Sequence, residues 1–190
     1  MTDVAALAPA DRYRVLAARF TELVEAVPDD RWASPSPCQD WAARDVVGHV
    51  VQSQRGYVEG TGESLPPAPD AASDPVGAWT ATRDGVQALL DDPERAGREV
   101  EGRTGKGTLE GTLGLFHSVD LVVHGWDLAQ AAGLESSVPS DRLAWVRALV
   151  ERMSDMARTP GGFGDEVEAP ADADETTRTM AFLGRRPVGA

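Results

Sequence analysis

Between residues 113 and 132 the chain reads LGLFHSVDLVVHGWDLAQAA, a stretch free of lysine and arginine whose polar residues keep helical step. His117, Asp120, His124 and Asp127 follow one another at intervals of three, four and three. At about 3.6 residues per turn they form a single stripe. Leu113, Leu128 and Ala131 share the stripe, and Phe116, Leu121 and Val123 border it. A solvated helix face would carry flexible charged side chains paired at i,i+4. This segment is apolar almost all round, so it predicts a helix running through the core with its acids and imidazoles facing inward. Buried ionisable groups need partners, because desolvation without pairing costs several kcal/mol. A metal cation is one partner that suits two imidazoles and a carboxylate.

The rest of the chain sets the frame for that helix. Its 190 residues suffice for one well-buried domain, and 42% hydrophobic with 26% charged residues is ordinary for a globular protein. A formal net charge of -13 argues against binding nucleic acid or an anionic membrane surface. The opening MTDVAALAPADR lacks a basic segment followed by an apolar one, so no signal peptide is expected. Apolar runs are too short for a transmembrane helix. A single cysteine, Cys38, excludes an internal disulfide and fits a reducing, cytoplasmic location.

Hydrophobic periodicity predicts a first helix over 9–27, with Tyr13, Leu16, Phe20, Leu23 and Val27 inward. A loop with three prolines fills 28–40, and Asp40 is placed to cap a second helix from about Trp41 to Tyr57. His49 sits at the edge of that helix's apolar face, with the small residues Ala42, Ser53 and Gly56 on its own side. A Pro/Gly-rich connection over 60–73 leads to a third helix from Asp74-Pro75 to near Asp92. Residues 93–110 read as a glycine-rich loop with at most a short strand. The central helix stops at Gly133, a fifth runs from about Pro139 to Ala157 with Met153 and Met156 inward, and a short one spans Glu175 to Leu183. The predicted architecture is an all-α bundle of four long helices with additional C-terminal helices, one domain over 1–190 whose segment 159–190 packs on the bundle as a tail.

Asp120 and His124, at i,i+4, can present two ligands from one rigid element, and His49 is the obvious third donor from a neighbouring helix. Two nitrogens and one carboxylate oxygen with an open position match catalytic zinc, and nickel, iron and manganese accept the same set. Each residue has a plainer reading. A lone inward histidine such as His49 is more often a hydrogen-bonded core residue, and D-x-x-x-H is a short pattern. His117 reads best as a pocket wall. Asp127 orients an imidazole or, the favoured reading, forms a structural salt bridge. Cys38 reads as structural, because only Arg31 and Arg44 are near it in sequence to favour a thiolate. The tryptophans read as anchors and Lys106, the chain's only lysine, as solvated.

Three segments carry a family resemblance: W-x-x-P-S-P-C-x-x-W-x-x-R-D-V-V-x-H (32–49), D-L-V-V-H-G-W-D-L-A-x-A-x-G (120–133) and F-L-G-R-R-P (182–187). Together they resemble an actinobacterial group of the DinB-like superfamily related to the N-terminal, metal-binding domain of mycothiol-dependent maleylpyruvate isomerase. The resemblance implies a DinB-like four-helix bundle and a divalent metal, usually zinc, held by His49, Asp120 and His124. It departs in two ways. The isomerase carries a glutamate at the position of the shorter Asp120, and it has a further C-terminal domain that this chain is too short to contain, so maleylpyruvate isomerisation itself is not expected. What the resemblance implies is a metal that activates a thiol, such as mycothiol, or water as nucleophile, in a transferase or isomerase acting on a small-molecule substrate. Its alternatives are a non-catalytic metal- or ligand-binding accessory or regulatory module and a metal-dependent hydrolase. A homodimer is compatible with this reading; nucleic-acid and membrane partners are not expected.

Overall fold

A computed structural model describes residues 3–102, 105–153, 158 and 163–189. The helices are α1 (Pro9–Ala26), α2 (Ala43–Gly60), α3 (Pro75–Leu90), α4 (Pro93–Ala96), α5 (Leu109–Thr112), α6 (Ser118–Ala132), α7 (Ser140–Met153) and α8 (Glu175–Phe182). Two 3-10 turns, Val4–Ala6 and Asp29–Arg31, an antiparallel hairpin, β1 (Glu99–Gly102) and β2 (Gly105–Thr108), and a π-helical turn, Leu113–His117, complete the named elements. The fold is the expected all-α bundle with additional C-terminal helices.

Four helices close the bundle. α1 packs against α3 and α6, and α2 packs against the same two from the other side, so α1 and α2 face each other across the diagonal. The apolar repeat of α1 buries Tyr13, Leu16, Phe20 and Leu23. Phe20 meets Trp79 of α3 edge-on, with ring centroids 4.8 Å apart, and the Trp79 indole donates to Thr21 Oγ1 at 2.9 Å. Across the diagonal, the Tyr13 hydroxyl donates to Gln54 Oε1 at 2.7 Å, with both side chains buried. On α6, a Cβ at Gly125 would come within 3.3 Å of Leu23 Cδ1, so the glycine lets α1 and α6 approach closely. Met180 and Leu183 at the end of α8 are buried in the same core, and α8 packs on α7.

Three sequence expectations change. Asp40 does not cap α2. It sits at φ 63°, while Trp41 and Ala42 stay extended, with Ala42 bridging Pro35 and Ala43 N donating to Ser34 O at 3.0 Å. The helix therefore starts at Ala43, and the Asp45 carboxylate reaches back to Ala42 N at 2.8 Å. The glycine-rich 93–110 holds a short helix and a hairpin rather than a loop, with Val100 opposite Gly107 and Lys106 exposed in β2. The fifth helix is described to Met153; the expected extension to Ala157, Met156 included, lies outside the described residues.

The central helix also differs. It begins at Leu109 and passes through a π-helical turn, Leu113–His117, before α6. A π turn loosens the regular ladder and tends to need outside support. Here α1 supplies it. Arg12 Nη1 donates to Gly114 O at 3.0 Å, while its other guanidinium nitrogens bind Val4 O, Ala5 O and Leu7 O at 2.7, 3.2 and 2.7 Å. Pro9 packs directly on Gly114: a Cβ there would overlap Pro9 Cβ and lie 2.7 Å from its Cα. The neighbour is backbone and cannot swing aside, so overpacking costs on the order of 1–3 kcal/mol. Gly114→Ala is thus expected to lower the unfolding free energy by about that much in urea titration. Gly107→Ala, where an added Cβ meets nothing within 4 Å, is expected to change it little. Equal effects at the two positions would refute the close packing of Pro9 on the π turn.

Candidate metal centre

Two helices bring the imidazoles together. His49 lies on α2 and His124 on α6, adjacent sides of the bundle, and their ring centroids are 4.9 Å apart in a T-shaped arrangement. Trp41, in the extended segment before α2, covers both: its ring is 4.8 Å from His49 and 6.0 Å from His124. Starting the helix at Ala43 instead of Trp41 leaves this indole on the extended lead-in, over the rings. His124 is buried and His49 half-buried. Burial, and then the neighbouring His124, hold the His49 imidazole below the usual histidine range. It is thereby kept neutral near pH 7, the form that ligates metal. Asp120, half-buried one turn before His124, raises both His49 and His117 against the effect of burial. His117 lies a turn earlier, its Nδ1 3.4 Å from Ser53 Oγ and its ring 5.3 Å from that of Tyr57. It forms a wall between α2 and the π turn.

Asp127 has no solvent exposure, yet its Oδ2 is the meeting point of three groups. His124 Nδ1 lies 3.0 Å away and Cys38 Sγ 3.1 Å away, both within hydrogen-bonding distance, and Arg185 Nε lies at 3.6 Å as an ion pair. The carboxylate oxygen accepts from Nδ1–H, which in the neutral imidazole leaves Nε2 as the nitrogen with a free lone pair. The salt bridge and the orienting role expected as alternatives for Asp127 occur together.

Cys38, His124 and Asp127 place one potential ligand atom each within 4.8 Å of one another. Donors around a tetrahedral zinc ion sit about 3.3 Å or more apart at normal bond lengths. The 3.0 and 3.1 Å contacts are shorter than that, and the Arg185 charge beside them opposes a cation. The cluster is a hydrogen-bonded one. Burial and the Asp127 carboxylate push the Cys38 thiol up to about 12, with Arg185 partly opposing them, so it is an S–H donor. Among the described residues His49, Asp120 and His124 do not bring three ligand atoms within 4.8 Å of one another as Cys38, His124 and Asp127 do. The two rings are adjacent at 4.9 Å, Asp120 lies one turn before His124, and two imidazoles with a carboxylate suit a divalent cation in chemistry alone. Two surface clefts, one of about 630 Å³ beside Arg12, Leu115 and Trp145 and a small one beside Leu23 and Trp126, include none of these three residues.

Sequence reasoning missed Arg185. It weighed only neighbours of Cys38 along the chain, and the arginine arrives from the other end of it. The one available signal was the F-L-G-R-R-P segment, noticed as a motif without a role.

Residues 13–129 match the family model described as the mycothiol maleylpyruvate isomerase N-terminal domain. Uncharacterised proteins from two strains of Mycobacterium tuberculosis are each 30% identical over 174 residues, covering 87% of this chain and 91% of theirs. A crystal structure of a histidine mutant of mycothiol-dependent maleylpyruvate isomerase aligns with a TM-score of 0.48 at 18% identity, over 87% of this chain and 77% of that one. That likeness is too loose to argue from.

The buried, hydrogen-bonded state of Cys38 has a direct chemical consequence. Thiolate is the reactive species, so a thiol at about 12 is almost wholly unreactive at pH 8. Iodoacetamide is expected to label Cys38 at least ~100-fold more slowly in the native protein than in urea. Comparable rates in both states would mean that the thiol is not held by Asp127.

Proposed function

This chain belongs to the mycothiol maleylpyruvate isomerase N-terminal domain family, and we propose that it is a divalent-metal protein that activates a low-molecular-weight thiol, of the mycothiol type, for transfer or isomerisation chemistry on a small electrophilic substrate. The observation that carries this reading is the pairing of the His49 and His124 rings at 4.9 Å, with His124 Nδ1 already engaged by Asp127. His49, Asp120 and His124 would hold the ion, zinc foremost with nickel or iron as substitutes. When bound, such an ion lowers the pKa of a coordinated thiol or water towards neutrality.

The chain's own residues do the rest. His124 is fixed in one tautomer by Asp127, and His49 is kept neutral by burial and by its neighbour. Trp41 shields the two rings on one side and limits water there. His117, Ser53 and Tyr57 border the site between α2 and the π turn. Cys38, the chain's single cysteine, is committed as an S–H donor to Asp127, which leaves the reacting thiol to come from a co-substrate. No helix among the described residues is long and apolar enough to cross a membrane, and the cytoplasm is the proposed location. A second reading is a non-catalytic metal-binding module, which predicts bound zinc without thiol chemistry on any electrophile.

Protein purified without added metal and then reconstituted with zinc is expected to hold one ion per chain by elemental analysis. His124→Ala is expected to weaken binding by more than about 100-fold, beyond the loss typical of an outer partner. Thiol-dependent turnover of an electrophile that vanishes in His124→Ala supports the transferase or isomerase reading. A full complement of zinc with no turnover supports the accessory module, and thiol-independent ester cleavage supports a hydrolase. Sub-stoichiometric zinc after reconstitution overturns the metal reading altogether.

A further inference from the structure

The segment Phe182–Pro187 leaves the end of α8, and its Arg185 reaches the buried carboxylate behind His124. Leu183 caps α8, and Gly184 follows at φ 81°. Gly184 N donates to Ala181 O at 2.9 Å and Arg185 N to Met180 O at 2.9 Å. This is the Schellman pattern, a left-handed residue flanked by paired back-bonds that turns the chain sharply. Glycine is required twice over: a Cβ at 184 would also lie 2.8 Å from the backbone of Gly164 and Asp165. The turn sends the Arg185 side chain inward, where Nη1 is tied to Leu183 O at 2.9 Å and Nε stands 3.6 Å from Asp127 Oδ2.

That charge matters because of what Asp127 lacks. Its second oxygen, Oδ1, is buried and has no hydrogen-bond partner among the described residues. The two hydrogen bonds from His124 and Cys38 both fall on Oδ2. A carboxylate without solvent and with one oxygen unpaired is costly to keep ionised, and the cationic neighbour is what offsets the cost.

We propose that Arg185 is a positioning residue for the metal centre: it holds the Asp127 carboxylate in place, and through it the tautomer and ring orientation of His124. The C-terminal segment thus sets the geometry of a ligand on α6 without touching the ion. The inference deepens the metal reading and rests on it for its affinity readout alone.

The test uses the full chain, with Arg185→Ala and Arg185→Lys compared with wild type in two measurements. Nitrogen-15 spectra of the histidine side chains, taken without metal, report the His124 tautomer. Zinc affinity by chelator competition reports the consequence. Arg185→Ala is expected to turn a single Nδ1-protonated His124 signature into a mixture and to weaken zinc binding about 10- to 100-fold, the range typical for partners that orient a ligand. Arg185→Lys, which retains the charge, is expected to restore most of both, whereas a purely structural loss would lower the melting temperature without changing the tautomer. An unaltered His124 signature in folded Arg185→Ala overturns the proposal. A wild-type protein that takes up no zinc overturns the metal reading instead, while the metal-free spectra still decide the role of Arg185.

Discussion

A carboxylate sealed from water is the constraint around which the site is arranged. Asp127 sits on a helix whose other residues are nearly all buried, so its charge has to be met by protein. The chain meets it from three directions: an imidazole one turn back on α6, a thiol from the proline-rich loop before α2, and a guanidinium from beyond α8. A buried ion pair taken whole often does no better in stability than an apolar replacement, although removing one partner alone is costly. The value of the three contacts is geometric. They fix the direction of one ring, and the loop before α2, α6 and the segment after α8 meet at the same oxygen.

The four bundle helices were legible because burial in a bundle imposes a periodicity that survives in the letters. Tyr13, Leu16, Phe20 and Leu23 on α1 and the uncharged α6 announce their faces without any knowledge of their neighbours. The nearness of His49 and His124 was legible for the same reason, two inward residues on helices that had to pack.

What could not be read was set by long-range contacts or by backbone choices with several local solutions. Asp40 has the right chemistry for a helix cap, but the Pro35–Ala42 bridge keeps the chain extended beyond it. The glycines of 93–110 permit a loop, and only the pairing of Glu99 with Thr108 and Val100 with Gly107 selects a hairpin. The π turn depends on Pro9 and Arg12, about a hundred positions away. Cys38 was read from its neighbours along the chain alone, whereas the acid that binds it lies 89 residues on.

The π turn also separates two alignments that a continuous α-helix would lock together. A straight helix transmits any rotation at one end to the other, about 100° for each residue gained or lost. Here the segment from Leu109 to Thr112 answers to the hairpin and α1, while α6 answers to the imidazoles and Asp127. With a π turn between them, the two segments take their rotational settings from different neighbours. The half of the helix that carries His124 answers to His49 and Asp127 rather than to the hairpin.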